Sequence, residues 1–308
     1  MQGIVISESM DAPAVALLAR EFDVDYRPAL FEDEAALARA LERADAWIVR
    51  NRTQVRGALV DALARCRVVG RLGVGLDNID VAACEAKGMK VIPATGANAL
   101  AVAEYVVGTA LVLLRGAYLS SAAVASGKWP RAALSAGRET AGKTLGLVGF
   151  GSIGQLTATR ARALGMEVIA HDPLLGAGHP AYAAAGVRAA GLDEVVRAAD
   201  VVSLHVPLVE STRNLFSAAR IASMKPGAVL VNTARGGIVD EVALVRALKD
   251  GHLAGAAIDV FAAEPLPASP HFEDCPNLIL TPHVAGVTAE ANERVSFLIS
   301  DKVLEALA

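Results

Sequence analysis

A glycine-rich turn between a strand and a helix, near the middle of the chain, constrains the fold more than any other feature. A β-type run at residues 144–148 leads into Gly149, Gly151 and Gly154, which are spaced as G-x-G-x-x-G, and a helical pattern follows over residues 155–164. In this context the first glycine permits the tight turn, the second lets the backbone approach a pyrophosphate, and the third allows close helix-to-strand contact. The helix N-terminus would present free N–H groups to the phosphates. The pattern predicts a dinucleotide-binding unit, although the glycines taken alone are also compatible with a flexible turn.

The second strand of this unit ends at Asp172, 18 residues after Gly154. An acidic residue roughly 20 positions beyond the glycines is expected to accept hydrogen bonds from the hydroxyls of the adenosine ribose. Its charge would repel a 2′-phosphate, and the next four residues contain no Arg or Lys. The sequence therefore predicts NAD rather than NADP as the cofactor. The alternative interpretation of Asp172 is an ordinary turn residue before proline.

Short β-type runs alternate with helical segments along the whole chain, as expected for βαβ units and a parallel sheet. The length of 308 residues exceeds the usual size of a single core and favours two domains. In the first hundred residues strands are predicted at 3–6, 46–49, 68–71 and 90–92, with a helix over 33–43. Later strands are predicted at 144–148, 167–170, 201–205, 228–232 and 254–258, in an open sheet of about six strands. A helix over 242–249 capped by Asp240, a proline-rich loop at 264–270 and a closing helix at 289–307 complete the pattern.

Composition excludes several classes of protein. Hydrophobic residues make up 54% and charged residues 20%, which is typical of a soluble globular chain, and a net charge of −4 without basic runs argues against nucleic-acid binding. Cys66, Cys84 and Cys275 form no C-x-x-C pair, so we expect no disulfide framework, no metal site and a reducing cytoplasmic location. The N-terminus lacks signal-peptide features. The apolar stretch 99–114 is interrupted by Glu104 and is shorter than the roughly 20 residues of a membrane span, so a buried helix is expected.

Three polar residues stand in loops after predicted strands, at the edge where open α/β sheets bind ligands. Arg235 lies among small residues, and its planar guanidinium suits a carboxylate. His283 carries an imidazole, which exchanges protons near neutral pH, as carbonyl reduction and alcohol oxidation require. Glu264 is a candidate to hydrogen-bond and orient that imidazole. The ordinary alternatives are a structural salt bridge for Arg235, a structural histidine for His283 and a solvated charge for Glu264.

Taken in order along the chain, these motifs resemble the D-isomer-specific 2-hydroxyacid dehydrogenase family. The similarity covers nearly the whole chain, and an ordered set of motifs is far more specific than any one of them. The resemblance is carried by residues 145–154, His205-Val206-Pro207-Leu208, residues 232–237, residues 259–261 with Glu264-Pro265, and Thr281-Pro282-His283. Residues 71–80 and 102–104, together with Asn98, are most like the phosphoglycerate dehydrogenase branch.

The resemblance implies an oxidoreductase that uses NAD to interconvert a small 2-hydroxy acid and the corresponding 2-oxo acid. Arg235 would bind the substrate carboxylate and polarise the 2-oxo group, His283 would exchange the proton, and Glu264 would be its partner. Backbone groups around Val74 and Gly75 would contact the substrate carboxylate. The NAD contacts implied in the same way are Gly149, Gly151, Ser152, Ile153, Gly154, Asp172, His205, Val206, Pro207, Thr233, Ala234, Arg235, Asp259, His283, Ala285 and Gly286.

We therefore predict an α/β protein of two domains. A smaller, flavodoxin-like substrate domain is expected to comprise residues 1–97 and 287–308, and a Rossmann-type, doubly wound parallel sheet that binds NAD is expected over residues 98–286. A homodimer is implied, with the helix at 99–114 either at its contact or in the internal core. His171 stands where relatives often carry Tyr, which affects packing around the adenosine. The chain ends at Ala308, so we expect no C-terminal regulatory domain and no serine feedback.

The substrate is less constrained than the reaction class. Arg50, Asn51, Arg52 and Arg71 favour a second anionic group such as a phosphate or sulfonate, although they could also form a solvated basic edge. Phosphoglycerate, sulfolactate and simpler acids all remain, and reduction of glyoxylate or hydroxypyruvate is the alternative. Formate oxidation is a chemical rival. A non-catalytic NADH-sensing binding protein is the alternative from another class.

Overall fold

The computed structural model describes residues 2–308 and divides into two compact α/β units. The first unit comprises Met1–Asn98 and Val287–Ala308, and the second comprises Ala99–Gly286. The sequence analysis expected the corresponding boundaries after residues 97 and 286.

The first unit is built around a five-stranded parallel sheet. Its strands are β1 (Gly3–Ile6), β2 (Asp23–Tyr26), β3 (Ala44–Val49), β4 (Val68–Arg71) and β5 (Lys90–Pro93). They are ordered β2-β1-β3-β4-β5, which is the flavodoxin-like order. The helices are α1 (Ala12–Leu18), α2 (Glu34–Leu41), α3 (Ala58–Asp61), α4 (Val81–Ala86) and, from the end of the chain, α13 (Ala289–Leu307).

Both faces of this sheet are buried, because side chains alternate along each strand and helices cover both sides. Ile4 and Ile6 belong to the core formed with α1 and α13. Val5 and Trp47 belong to the core formed with α2, α3 and α4. Three of the four strands predicted for this unit, β1, β3 and β4, are therefore central strands of a covered sheet, and the fourth, β5, lies at its edge.

The second unit is a seven-stranded parallel sheet. Its strands are β6 (Thr144–Val148), β7 (Glu167–His171), β8 (Arg188–Ala189), β9 (Val201–Leu204), β10 (Ala228–Asn232), β11 (Leu253–Ile258) and β12 (Leu278–Leu280). The order β12-β11-β10-β9-β6-β7-β8 is the doubly wound Rossmann order with β12 added at one edge. The helices are α5 (Ala99–Arg115), α6 (Ser121–Ala125), α7 (Arg131–Leu134), α8 (Ser152–Ala163), α9 (Pro180–Ala185), α10 (Leu192–Ala198), α11 (Ala218–Ala222) and α12 (Glu241–Lys249).

Most predicted elements have the observed bounds to within two residues. The Asp240 cap is confirmed, because its carboxylate accepts a hydrogen bond from the Ala243 N–H at 2.9 Å. The estimate of about six strands was too low, since β8 and β12 were not predicted, and β2 was missed in the first unit. Each of these three lies at a sheet edge and is short or polar, so it lacks the apolar run of a central strand.

Helix α5 is the long apolar helix at the start of the second unit. It packs against α8, β10 and β11, and eight of its residues are buried. The prediction of a buried helix is therefore confirmed. Within residues 2–308 no single helix is long and apolar enough to cross a membrane; α5 and the helical segment Tyr118–Ala125 reach that length and composition only as a pair, bent by 69°.

Candidate active site

The glycine-rich turn after β6 has the geometry that phosphate binding requires. Gly149 has a φ of 99°, and a Cβ there would lie 2.4 Å from the His205 carbonyl oxygen, so only glycine fits. A Cβ on Gly154 would lie 2.6 Å from the Gly149 carbonyl oxygen, because the first turn of α8 packs against the glycine-rich turn. Gly151 instead faces open space, with no atom within 4 Å of the position a Cβ would take. A ligand can therefore approach the backbone at Gly151.

The N-terminus of α8 offers N–H groups at this open position. Gly151 is the N-cap residue, and no side chain in the part of the chain that the structure describes caps the helix. Ser152 and Ile153 begin the first turn, where N–H groups lack intrahelical partners and carry partial positive charge. These residues fit the pyrophosphate of a dinucleotide.

Asp172 follows β7 directly and contacts the glycine-rich turn. Its Oδ2 accepts a hydrogen bond from the Phe150 N–H at 2.8 Å, and its Oδ1 accepts one from the Leu174 N–H at 2.9 Å. A carboxylate has about four acceptor positions, so two remain for ribose hydroxyls. The acidic residue expected to select NAD is thus held beside the turn.

Two buried polar atoms at the ends of β9 and β10 have no hydrogen-bond partner among the described residues. They are His205 Nδ1 and Thr233 Oγ1. The other ring nitrogen of His205, Nε2, lies 3.0 Å from Ser203 Oγ, and burial lowers the pKa of His205 to about 4, so the ring is neutral at pH 7. Unpartnered buried polar atoms are rare in folded proteins. These two lie where the resemblance implies NAD contacts, and Val206 and Pro207 continue the same loop.

Asn232 shapes the loop that carries Arg235. Its side-chain oxygen accepts a hydrogen bond from the Ala234 N–H at 3.1 Å, and its amide nitrogen donates to the Arg235 carbonyl oxygen at 3.0 Å. Gly236 lies so close to the loop after β11 that a Cβ there would be 1.8 Å from the Phe261 carbonyl oxygen. The guanidinium of Arg235 donates from Nη1 to the Ala234 carbonyl oxygen at 2.6 Å. Backbone and side chain of Arg235 are both fixed.

Asp259 holds the loop that carries His283. Asp259 is only 1% exposed, and its carboxylate accepts hydrogen bonds from Thr281 Oγ1 at 2.6 Å and from the N–H groups of Val284 and Ala285 at 2.8 and 2.9 Å. The Asp259 carbonyl oxygen accepts from the His283 N–H at 2.8 Å. His283 itself has a φ of 57°, a left-handed conformation that a non-glycine residue keeps only when its surroundings impose it.

His283 and Glu264 form a direct pair, as the sequence analysis expected. His283 Nδ1 lies 2.7 Å from Glu264 Oε2, and the Phe261 N–H donates to Glu264 Oε1 at 2.9 Å. Burial acts to raise the pKa of Glu264, but the hydrogen bonds from His283 and Phe261 and the charges of His283 and Arg235 outweigh it, so this pKa is lowered. Glu264 is therefore ionised at neutral pH and orients the imidazole so that Nε2 is the nitrogen left for proton exchange.

Sequence reasoning missed Glu241 in this unit. Its Oε1 accepts a hydrogen bond from the Ala262 N–H at 2.9 Å and so holds the start of the segment that leads to Glu264. Glu241 is the first residue of α12, where an acidic residue is ordinary. No sequence signal distinguishes this role from a helix-stabilising one.

In the first unit, Glu8 anchors the loop that follows β3. This carboxylate is 3% exposed and accepts hydrogen bonds from the N–H groups of Arg50, Arg52 and Thr53 at 2.8, 3.1 and 3.0 Å. Asn78 donates to the carbonyl oxygens of Arg50 and Thr53 at 3.1 and 2.7 Å. Sequence reasoning assigned no role to Glu8, and it gave Asn78 only as part of the motif at residues 71–80. The available signal for Glu8 was an acidic residue just after a buried strand.

The arginines of the predicted basic cluster have different surroundings. The Arg50 guanidinium donates from Nη1 to the Ser9 carbonyl oxygen at 3.3 Å and from Nη2 to Asn292 Oδ1. Arg52 instead lies over the Phe31 ring, 4.2 Å from its centroid, and pairs loosely with a neighbouring glutamate. Surface contacts therefore explain the position of the Arg52 side chain. For this one residue they agree with the alternative that the cluster is a solvated basic edge.

Arg71 lies against the loop expected to bind the substrate carboxylate. A Cβ on Gly73 would lie 1.6 Å from Arg71 Nη1, and Val74 and Gly75 follow directly. Val74 and Asn51 are both exposed. The first unit thus places Arg71 beside the backbone of residues 73–75.

The second unit combines groups suited to proton exchange with a hydroxyl or carbonyl oxygen. An imidazole is held by an ionised carboxylate, an arginine lies within electrostatic range of that carboxylate, and a dinucleotide-binding turn belongs to the same sheet. Residues 2–308 contain no group of three or more His, Cys, Asp or Glu side chains arranged to hold a metal. The imidazole, the carboxylate, the arginine and the glycine-rich turn support general acid–base chemistry with a nucleotide cofactor.

Residues 107–285 match the D-isomer specific 2-hydroxyacid dehydrogenase, NAD binding domain. The chain is 51% identical to an (S)-sulfolactate dehydrogenase of Chromohalobacter salexigens, over 100% of this chain and 99% of that protein. It is 38% identical to a D-3-phosphoglycerate dehydrogenase of Mycobacterium leprae, over 99% of this chain but 57% of the relative. It is 37% identical to a hydroxypyruvate reductase of Thermotoga maritima, over 98% of this chain and 97% of that protein.

The fold also resembles a solved D-lactate dehydrogenase from Aquifex aeolicus, complexed with NAD and lactic acid. The TM-score is 0.83 at 26% identity, over 99% of this chain and 95% of that structure. The parallel sheets observed in the two units agree with that likeness.

Proposed function

Because this chain belongs to the D-isomer specific 2-hydroxyacid dehydrogenase family, we propose that its substrate is a doubly anionic 2-hydroxy acid of the sulfolactate type. The reaction class does not depend on this proposal: the chain is an NAD-dependent oxidoreductase that acts on the CH–OH group of a small 2-hydroxy acid. What is proposed is the second acidic group of the substrate, the configuration at C2 and the roles of individual residues.

The observation that carries the substrate proposal is the 51% identity to the sulfolactate dehydrogenase over the whole of both chains. The surroundings of Arg50 support it, because the side chain is held in place by a backbone carbonyl and an amide oxygen. A guanidinium held in this way suits a sulfonate or phosphate, which offers several acceptor oxygens. Arg71, beside residues 73–75, adds a second positive charge to the same unit.

The stereochemical labels of the relatives are mutually consistent. In sulfolactate the sulfur-bearing CH2 group outranks the carboxylate, whereas in lactate the carboxylate outranks the methyl group. The (S) label of sulfolactate therefore describes the same spatial arrangement as the D label of lactate. We propose that this chain acts on that arrangement.

In the proposed mechanism of oxidation, His283 Nε2 accepts the proton of the 2-hydroxyl group. Glu264 keeps the imidazole oriented through its contact with Nδ1. Arg235 binds the substrate carboxylate and the oxygen at C2, where negative charge develops as the proton leaves. The hydride that leaves C2 as the carbonyl group forms would pass to NAD bound at the glycine-rich turn. In reduction, His283 returns the proton to the oxygen.

The test is a substrate panel with purified protein, followed at 340 nm. In the oxidative direction the panel contains (S)- and (R)-sulfolactate, D- and L-3-phosphoglycerate and D- and L-lactate with NAD. The proposal expects the highest kcat/KM for (S)-sulfolactate and no turnover of the enantiomer. A higher kcat/KM for a monoanionic acid than for either doubly anionic acid would refute it.

Reduction of hydroxypyruvate is the second candidate, because the Thermotoga relative covers the chain almost end to end. The same assay run with NADH separates the two, using sulfopyruvate, phosphohydroxypyruvate, hydroxypyruvate and glyoxylate. A preference for hydroxypyruvate would assign the chain to this candidate. Formate with NAD is included as a further comparison.

We also propose a homodimer whose contact includes the segment after α5. Eight residues of α5 are buried, so α5 alone offers little surface. The following segment carries exposed apolar side chains: Tyr118, Leu119, Val124 and Trp129, of which Trp129 is 77% exposed. Such a patch is typical of an association surface. Light scattering after gel filtration should give twice the chain mass, and Trp129→Glu should shift it to the monomer; a monomeric wild type would refute the proposal.

The proposed location is the cytoplasm. Cys66, Cys84 and Cys275 are all free thiols, which suits a reducing compartment. Fractionation of cells producing the protein would test this, and recovery outside the cytoplasm would refute it.

A further inference from the structure

The acceptors around the Arg50 guanidinium are both uncharged. They are the carbonyl oxygen of Ser9 and the side-chain amide oxygen of Asn292. Asn292 lies in the first turns of α13, at the far end of the sequence from Arg50, and both residues belong to the first unit. This arrangement orients the arginine without neutralising it, because an amide oxygen accepts a hydrogen bond but carries no net charge.

Glu8 is the carboxylate whose charge acts on Arg50, but it accepts no hydrogen bond from the Arg50 guanidinium in the contacts described above. Both Glu8 oxygens accept from backbone N–H groups of residues 50, 52 and 53. Burial lowers the pKa of Arg50, and the charge of Glu8 opposes that effect. Glu8 therefore fixes the loop and favours the charged form of Arg50, while Asn292 sets the direction of the guanidinium.

We propose that Asn292 is a specificity-determining residue: by holding Arg50 through a neutral oxygen, it leaves the charge of Arg50 for the second anionic group of the substrate. This inference rests on the proposed doubly anionic substrate. An acidic residue at position 292 would pair with Arg50 and compete with that group. Asn292 acts through Arg50, so it is a positioning residue and not a catalytic one.

Asn292→Asp is the decisive variant, because it changes the charge and almost nothing in shape. The variant should fold, since a carboxylate near the N-terminus of α13 is favourable. Asn292→Ala removes the acceptor without adding charge. Gln54→Glu is the matched control: it adds the same charge in the same unit, on an exposed side chain whose hydrogen bond goes to the Arg52 carbonyl oxygen.

The measured quantity is the ratio of kcat/KM for sulfopyruvate to kcat/KM for pyruvate with NADH. Asn292→Asp should lower this ratio about tenfold or more, the effect of losing a charge-assisted hydrogen bond. Asn292→Ala should lower it less, and Gln54→Glu should leave it at the wild-type value. An unchanged ratio in Asn292→Asp, or equal losses in the Asp and Ala variants, would overturn the inference.

Direct anion binding separates this inference from the proposed function. Thermal unfolding is followed with and without sodium sulfate, which serves as the probe. Sulfate stabilises folded proteins in general. The readout is therefore the rise in unfolding temperature that sulfate causes in each variant, compared with the rise in Gln54→Glu. If the wild type shows no preference for doubly anionic substrates, the proposed substrate is wrong, and the specificity role of Asn292 fails with it. A smaller sulfate effect in Asn292→Asp than in Gln54→Glu would still show that Asn292 keeps the charge of Arg50 available to an anion. Equal sulfate effects in all variants would refute that part as well.

Discussion

Between pH 8 and pH 5, acidification should destabilise the protein chiefly through His205, because the carboxylates whose pKa is lowered take up protons mainly below pH 5. Its ring lies at the end of β9 with Nδ1 buried and without a partner among residues 2–308, and burial lowers its pKa to about 4. In the unfolded chain a histidine has a pKa near 6.5. Between these values the unfolded state binds more protons than the folded state, so the free energy of unfolding falls as pH falls.

The size of the effect follows from the two pKa values. At pH 5 the unfolded histidine is almost fully protonated, while the folded one is about one-tenth protonated. Integration from pH 8 to pH 5 gives a loss of about 2 kcal/mol from His205 alone. The contribution becomes constant about one pH unit above 6.5, and it stops changing about one pH unit below 4.

His205→Gln isolates this contribution, because glutamine cannot take up a proton and its amide can still bond Ser203. Urea unfolding is followed by circular dichroism at pH 8 and pH 5 for the wild type, for His205→Gln and for His271→Gln, which alters an exposed imidazole of the same unit. The pH-dependent loss should be about 2 kcal/mol smaller in His205→Gln than in the wild type. Equal losses in all three proteins would show that the buried ring does not resist protonation.

Three further outcomes are expected at the second unit. His283→Ala should lower turnover at neutral pH at least about a hundredfold, the lower range for a general acid–base group, and near-normal turnover would remove His283 from the mechanism. Asp172→Ser should raise KM for NAD and lower KM for NADP, as steady-state kinetics with both cofactors would reveal; an unchanged ratio would show that Asp172 does not select the cofactor. Gly236→Ala should lower the unfolding temperature, because its Cβ would lie 1.8 Å from the Phe261 carbonyl oxygen. Gly151→Ala is the control and should not lower it, because Gly151 faces open space. Equal unfolding temperatures for the two variants would contradict the close approach at Gly236.

Some of the site could be predicted from the sequence because its chemistry is local. The glycine spacing at 149–154, the strand before it and the acid at 172 act through neighbouring backbone, so their order in the chain is enough to predict the turn. Arg235, Glu264 and His283 were predicted as a set by the ordered motifs, and the pairing of His283 with Glu264 is observed at 2.7 Å. Central strands were predicted well because both faces are buried and the apolar run is continuous.

Other features depend on contacts between distant segments, which a single sequence does not reveal. Asp259 holds the His283 loop, Glu8 holds the Arg50 loop, and Asn292 reaches Arg50 across 242 positions of the chain. Each is an ordinary polar residue by its local context. The edge strands β2, β8 and β12 were missed because pairing on one side stabilises them without a strong apolar pattern. The sequence by itself determined the reaction class and the nucleotide turn. Only the tertiary structure decided which polar groups are buried and what orients each charged side chain. The reason is that burial and long-range hydrogen bonds exist only once the sheets have formed.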